Sequence, residues 1–206
     1  MIEHFSHLQP QEWAVYLGLL VCSLMAVFTI VERLLALRPE RVLPTELADR
    51  FVSGEILEQP ANRDSTAGRV LAFFQINKPD PDALKAYAAL EISRLDRGLF
   101  ILDIVVGAAP LLGLLGTVMG LTTVFGGINP ESGLPDAREF VGGIGMALTT
   151  TMVGLTIAIP ALVGNSYLSR RVELLSAQIN VGVERMVDLA KRPGATTGAT
   201  ATETAD

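Results

Sequence analysis

The stretch FVGGIGMALTTTMVGLTIAIPALVGNSYL, Phe140–Leu168, contains no charged residue. A run of this length and character reads as a membrane-spanning helix, because ~20 residues at ~1.5 Å rise cover a hydrocarbon core of ~30 Å. Two comparable runs precede it. Trp13–Val31 is uncharged and ends against Glu32 and Arg33, which sets a first span at 13–35. Leu99–Ile128 is interrupted only by Asp103. Half of all residues are hydrophobic and the mean hydropathy is +0.41, more apolar than an ordinary soluble domain. The chain therefore reads as an all-α integral membrane protein with three transmembrane helices. The first run reads as a retained anchor. Glu3 and Glu12 precede it with no Lys or Arg, it is long for a signal h-region, and no small-x-small cleavage site follows.

Orientation follows from the cations, which favour the cytoplasmic side. Residues 1–12 carry none, and the short loop 129–139 carries only Arg138. The 36–98 insert is flanked by Arg33, Arg38 and Arg41 on one side and by Arg94 and Arg97 on the other. Arg170 and Arg171 follow the third span. This predicts an outer N-terminus, a cytoplasmic insert and a cytoplasmic C-terminus. The net charge of −6 does not oppose it, since acidic residues weigh little in this rule.

The insert reads as helical. Pro44-Thr45-Glu46 offers a helix start, with Leu47, Phe51, Ile56 and Leu57 behind it. A second helix is expected from about Arg63 to Ile76. Asn77-Lys78-Pro79-Asp80-Pro81 is a break, in which Asp80 can cap and Pro81 can open the next helix. No breaker is evident from there to the membrane, so one helix is expected over 81–128. The third span is likewise expected to continue through 169–192 along Val172, Leu175, Ile179, Val183 and Met186, ending near Pro193-Gly194. Two long helices with apolar stripes outside the membrane call for an oligomer. Residues 193–206 are Gly, Ala, Thr and acid, and read as a disordered tail.

The second and third spans carry more than apolar bulk. Ala109, Gly113, Gly116, Thr117 and Gly120 recur at helical spacing on one side, as do Gly143, Ala147, Thr151, Gly154 and Ala158. Small stripes let backbones approach. Thr117 and Thr151 each lie ~16 Å from the outer end of their span at ~1.5 Å per residue, near mid-bilayer. A hydroxyl there holds water or meets a partner's carboxyl group. It cannot carry the proton itself, and no carboxylate occupies the centre of either span. Asp103 is either a solvated or Arg97-paired helix residue or a group at the inner pore mouth. Thr149 and Thr150 are further candidates for a pore face. Pro110 and Pro160 sit inside spans, where they kink the helix or mark packing.

On Ala109-Pro-Leu-Leu-Gly-Leu-Leu-Gly-Thr-Val118, on Ala147-Leu-Thr-Thr-Thr-Met-Val-Gly-Leu155 and on Ala158-Ile-Pro-Ala161, the sequence resembles the MotA/TolQ/ExbB proton-channel family, on its ExbB/TolQ branch. Ile30–Leu35 and Arg94–Leu99 fit the same pattern. The resemblance implies a homo-pentamer around a dimer of single-span subunits of the ExbD/TolR type, with a TonB-like or TolA-like protein as a further partner. It implies that the single-span partner supplies a proton-carrying aspartate, faced by Thr117 and Thr151. It places the chain in a bacterial inner membrane, driving periplasmic or outer-membrane work such as energised transport. Many members carry a glutamate where this chain has Met146.

Other classes find little support. Cys22 is the lone cysteine, and His4 and His7 lack a third ligand nearby in sequence, so no metal site is expected. No nucleophile–base pair or phosphate loop points to an enzyme, a cofactor or a nucleic acid. Gly113-x-x-Gly116 and Gly116-x-x-x-Gly120 lie within a span and read as packing motifs. The competing readings are a non-conducting membrane scaffold and a stator of another proton-driven system.

Overall fold

The computed structural model describes residues 10–44, 47, 65–126 and 137–191. Among these the chain is helical throughout: α1 (Pro10–Ala36), a single turn α2 (Pro39–Val42), α3 (Thr66–Asn77), α4 (Pro81–Ser93), α5 (Leu99–Gly126) and α6 (Ala137–Lys191). Three of these, α1, α5 and α6, are long and apolar enough to cross a membrane. The helix expected after Pro44, the pair His4 and His7, and the tail 193–206 lie outside the described residues. The helices form two compact units. One comprises α1 up to Leu34, α5 and α6 up to Ser169; the other comprises Leu35–Arg97 and α6 from Arg170 onward.

In the spanning unit, α5 and α6 run antiparallel along a seam with almost no side chains in it. A Cβ on Gly154 would lie 2.6 Å from the Ala109 carbonyl oxygen, and one on Gly113 would lie 3.0 Å from the Thr151 Cα. A Cβ on Gly120 would lie 2.5 Å from the Gly143 carbonyl oxygen. Gly116 abuts the Thr150 side chain, and Gly143 abuts Val124. Backbones this close gain dispersion contacts, which drive helix association where no hydrophobic effect operates. Both helices pass through their prolines, Pro110 and Pro160, unbroken. The first helix joins by shape: Leu112 fills the space at Gly18, and Ile30 fills that at Gly164. Its Val15, Leu19, Ala26 and Thr29 are buried, while Leu17, Leu24 and Phe28 face outward.

The single helix expected over 81–128 is corrected by the structure. Helix α4 stops at Ser93, turns occupy 94–98, and α5 starts afresh at Leu99. The cause is Gly98, whose φ of +100° no helix contains and which only glycine adopts without strain. Its missing side chain also admits Arg33, since a Cβ there would sit 2.6 Å from the Arg33 Nε. By contrast α6 runs unbroken for 55 residues.

In the second unit the α3–α4 hairpin is set by its caps. Ser65 Oγ accepts from the Gly68 N–H at 3.0 Å. Lys78 turns the chain with φ 43°, its N–H bonded to the Phe74 carbonyl. Asp80 stands at the cap position of α4 and Pro81 opens the helix, but the Asp80 side chain makes no capping bond. The Phe73 and Tyr87 rings stack with centroids 4.2 Å apart. Val172, Leu175, Ile179, Val183 and Met186 bury one face of α6. Lys85 Nζ meets Glu184 at 2.9 Å; that hydrogen bond pushes the Lys85 pKa up from 10.5, though an exposed pair of this kind adds little stability.

Glu91 is the unexpected member of this unit. It is 1% exposed and takes Arg69 Nε on one oxygen at 2.8 Å and an Arg94 nitrogen on the other at 2.7 Å. The arginines retain contact with water, 36% and 58% exposed, whereas the carboxylate does not. Removing an arginine should therefore hurt more than removing the acid. We expect Arg69→Ala to destabilise this unit by ~3 kcal/mol and Glu91→Gln by ~1.5 kcal/mol. Thermal melting with limited proteolysis of the insert reads both; the reverse order would contradict the burial argument.

Candidate functional site

Two polar side chains of the spans, one from each helix, lie on one flank of the α5–α6 seam. Thr117 and Thr151 are each half-buried there. Thr117 Oγ1 donates to the Leu114 carbonyl of its own helix at 2.6 Å. Thr151 Oγ1 donates across the seam to the Gly113 carbonyl at 3.2 Å. Gly113 makes that bond possible, because a side chain at this position would hold α6 away.

Further toward the start of α5 in the same unit, Asn165 Nδ2 donates to Asp103 Oδ1 at 2.6 Å. The carboxylate takes its bond from α6. The glycine contacts set the register of the seam: Thr151 stands opposite Gly113, and Thr117 follows four residues further along α5, ~6 Å of helix.

This arrangement has a defined chemistry. Each hydroxyl proton is already committed to a carbonyl, so the threonine oxygens offer lone pairs to whatever approaches. They can accept from water or from the O–H of a protonated carboxyl group; an ionised carboxylate has no proton to give them. No carboxylate lies between Phe140 and Ser169, and Asp103 is the only one on α5. Met146 is buried, and its carbonyl accepts from Thr150.

The neighbouring threonines are placed differently. Thr150 is fully buried against Gly116, its hydroxyl bonded to the Met146 and Ala147 carbonyls. Thr149 is exposed on another side of α6 and bonds the Gly145 carbonyl. Gly113, Gly116, Gly120, Gly143, Ala147 and Gly154 all lie in the seam. Pro110 is half-buried on the flank that carries Thr117, and Pro160 is exposed.

The model of the MotA/TolQ/ExbB proton channel family matches residues 58–181, more than half of the chain. The chain belongs to that family. Its relatives point to the ExbB branch of the MotA/TolQ/ExbB group. It is 30% identical over 184 residues to the biopolymer transport protein exbB1 of Vibrio cholerae, covering 82% of this chain and 80% of that one. It is 36% identical over 100 residues to the biopolymer transport protein ExbB of Helicobacter pylori, covering 48% of this chain and 68% of that one. It is 36% identical over 160 residues to an ExbB-like biopolymer transport protein of Synechocystis, covering 70% of this chain and 62% of that relative's length. The MotA/TolQ/ExbB family is one of channels and transport proteins, and this member is a multi-pass membrane protein.

Sequence reasoning passed over Asn165 and Glu91. Asn165 was legible in principle: it is the amide residue fourteen positions beyond Thr151, on the same helical face. Glu91 was not, because Glu91 and Arg94 at i, i+3 look like an ordinary solvated pair until Arg69 arrives from α3.

Proposed function

We propose that this chain is the proton-channel subunit of an ExbB-type motor of the bacterial inner membrane, with its N-terminus outside and its C-terminus in the cytoplasm. The observation that carries the reading is the pair Thr117 and Thr151, two acceptor hydroxyls about one helical turn apart on one flank of the seam, in a stretch of both spans that has no carboxylate of its own. Such a pair completes a proton path only when a second chain brings the titrating group. A single-span subunit of the ExbD/TolR type, with an aspartate at that depth, is the partner that fits. The protonated aspartate donates to the threonines; once ionised it loses that bond and faces water, so protonation selects where the partner sits. A pentamer of this chain around a dimer of that partner encloses the path, and a TonB-like or TolA-like protein receives the work.

Native mass spectrometry after co-expression with such a partner tests the assembly. We expect a pentamer of this chain holding a partner dimer. A stable oligomer that excludes every aspartate-bearing partner would leave the threonines without a proton carrier, and the non-conducting scaffold would take its place.

A further inference from the structure

The flank that carries the threonines continues inward as two ladders. On α5, Asp103, Pro110 and Thr117 follow at seven-residue intervals, and on α6, Thr151, Ala158 and Asn165 do the same. Seven residues are nearly two whole turns, with a drift of ~20°, so each trio keeps to one face. Fourteen residues span ~21 Å. Thr151 is tied to α5 by its 3.2 Å bond to Gly113, and the two ladders meet at the other end in the 2.6 Å bond from Asn165 to Asp103. Asp103 is exposed, and an ionised carboxylate facing hydrocarbon is costly, so this face is turned to water or protein.

The amide of Asn165 holds a second observation. While Nδ2 serves Asp103, Oδ1 is buried and has no hydrogen-bond partner. Buried acceptors are almost always paired, so an open one beside a carboxylate calls for a chemical reason.

We propose that Asp103 forms the inner end of the proton path and that Asn165 is its positioning residue, pairing with Asp103 in both protonation states. The inference rests on the proton-channel reading above. The ionised carboxylate accepts the amide N–H. The protonated acid keeps that bond and gains a donor, its O–H, for which Asn165 Oδ1 is the free acceptor. A hydronium on the threonine flank gives its proton to Asp103, breaking one of its O–H bonds as the carboxyl O–H forms. On release that O–H breaks as a new one forms on a cytoplasmic water, and Asn165 stays in place throughout. Few charges compete. Helix α5 has none besides Asp103, α6 has none from Phe140 to Ser169, and α1 brings Glu32 and Arg33, which pair with each other at 3.5 Å.

The test is proton flux into vesicles holding the full chain assembled with its single-span partner. Asn165→Leu and Asp103→Asn are each expected to lower flux about tenfold or more, with the assembly intact by native mass spectrometry. The exchange variant Asp103→Asn/Asn165→Asp rebuilds an acid–amide pair with the helices swapped, and it is expected to conduct better than either single variant. Wild-type flux in Asn165→Leu would overturn the inference and leave the channel reading standing. So would an exchange variant no better than the singles, because a merely structural asparagine gives losses that multiply. An assembled wild-type complex that passes no protons would remove the channel reading and this inference with it.

Discussion

Alanine at Gly154 or Gly120 is expected to open the α5–α6 hairpin, while alanine at Gly107 or Gly145 is expected to leave it closed. A Cβ at Gly154 would stand 2.6 Å from the Ala109 carbonyl oxygen and 3.2 Å from the Gly113 Cα. One at Gly120 would stand 2.5 Å from the Gly143 carbonyl oxygen and 3.1 Å from the Ala147 nitrogen. These obstacles are backbone atoms, and no rotamer change moves them. The helices must separate instead, which loosens contacts along the whole seam and costs ~1–3 kcal/mol per substitution. Gly107 and Gly145 have no atom within 4 Å of the added carbon, and there alanine gains the ~1 kcal/mol by which it outranks glycine in a helix. Thermal melting of the detergent-solubilised protein separates the two pairs. Equal melting of all four variants would mean that the seam does not hold the unit together. The consequence reaches the site as well, since Thr151 bonds the Gly113 carbonyl and separated helices would pull its hydroxyl off that anchor.

How far this was legible in the sequence depends on the range of the interaction. The spans were legible because apolar runs and their lengths are local properties, and the small stripes because helical spacing is. Counting from the span ends put Thr117 and Thr151 at one depth, whereas the seam sets Thr151 opposite Gly113, one turn before Thr117. The break before α5 was not legible. Arg94-Leu95-Asp96-Arg97 continues a helical pattern, and nothing local announces that Gly98 will take φ +100° beside Arg33, a residue sixty-five positions earlier. Nor was the division among three adjacent threonines. Thr149, Thr150 and Thr151 are chemically alike, and only the seam decides that Thr150 is sealed against Gly116, Thr149 faces away and Thr151 reaches Gly113. Asp103 shows the same limit. Its sequence neighbour Arg97 was an obvious partner, but α6 returns antiparallel and delivers Asn165.

The threonine at that seam should also separate conduction from assembly. Thr151→Val keeps the branched shape and removes only the oxygen. The lost bond to the Gly113 carbonyl is worth ~1 kcal/mol, far less than the seam itself, so the variant should reach the membrane and assemble with its partner. Its flux should fall ~30-fold, the loss of one hydrogen bond to the transferring group. Thr151→Ser, which restores the hydroxyl without the methyl, should recover most of it. Thr117→Val should fall in the same manner, because Thr117 offers the same lone pairs on the same flank. Flux through reconstituted vesicles and native mass spectrometry of the same preparation decide the matter together. Normal flux in Thr151→Val would show that protons do not pass this hydroxyl. Lost assembly in Thr151→Val, with Thr151→Ser no better, would make the threonine a packing element and move the chain toward the scaffold. The argument turns on shape being held constant: valine fills the space that threonine fills, so any difference in conduction belongs to the oxygen.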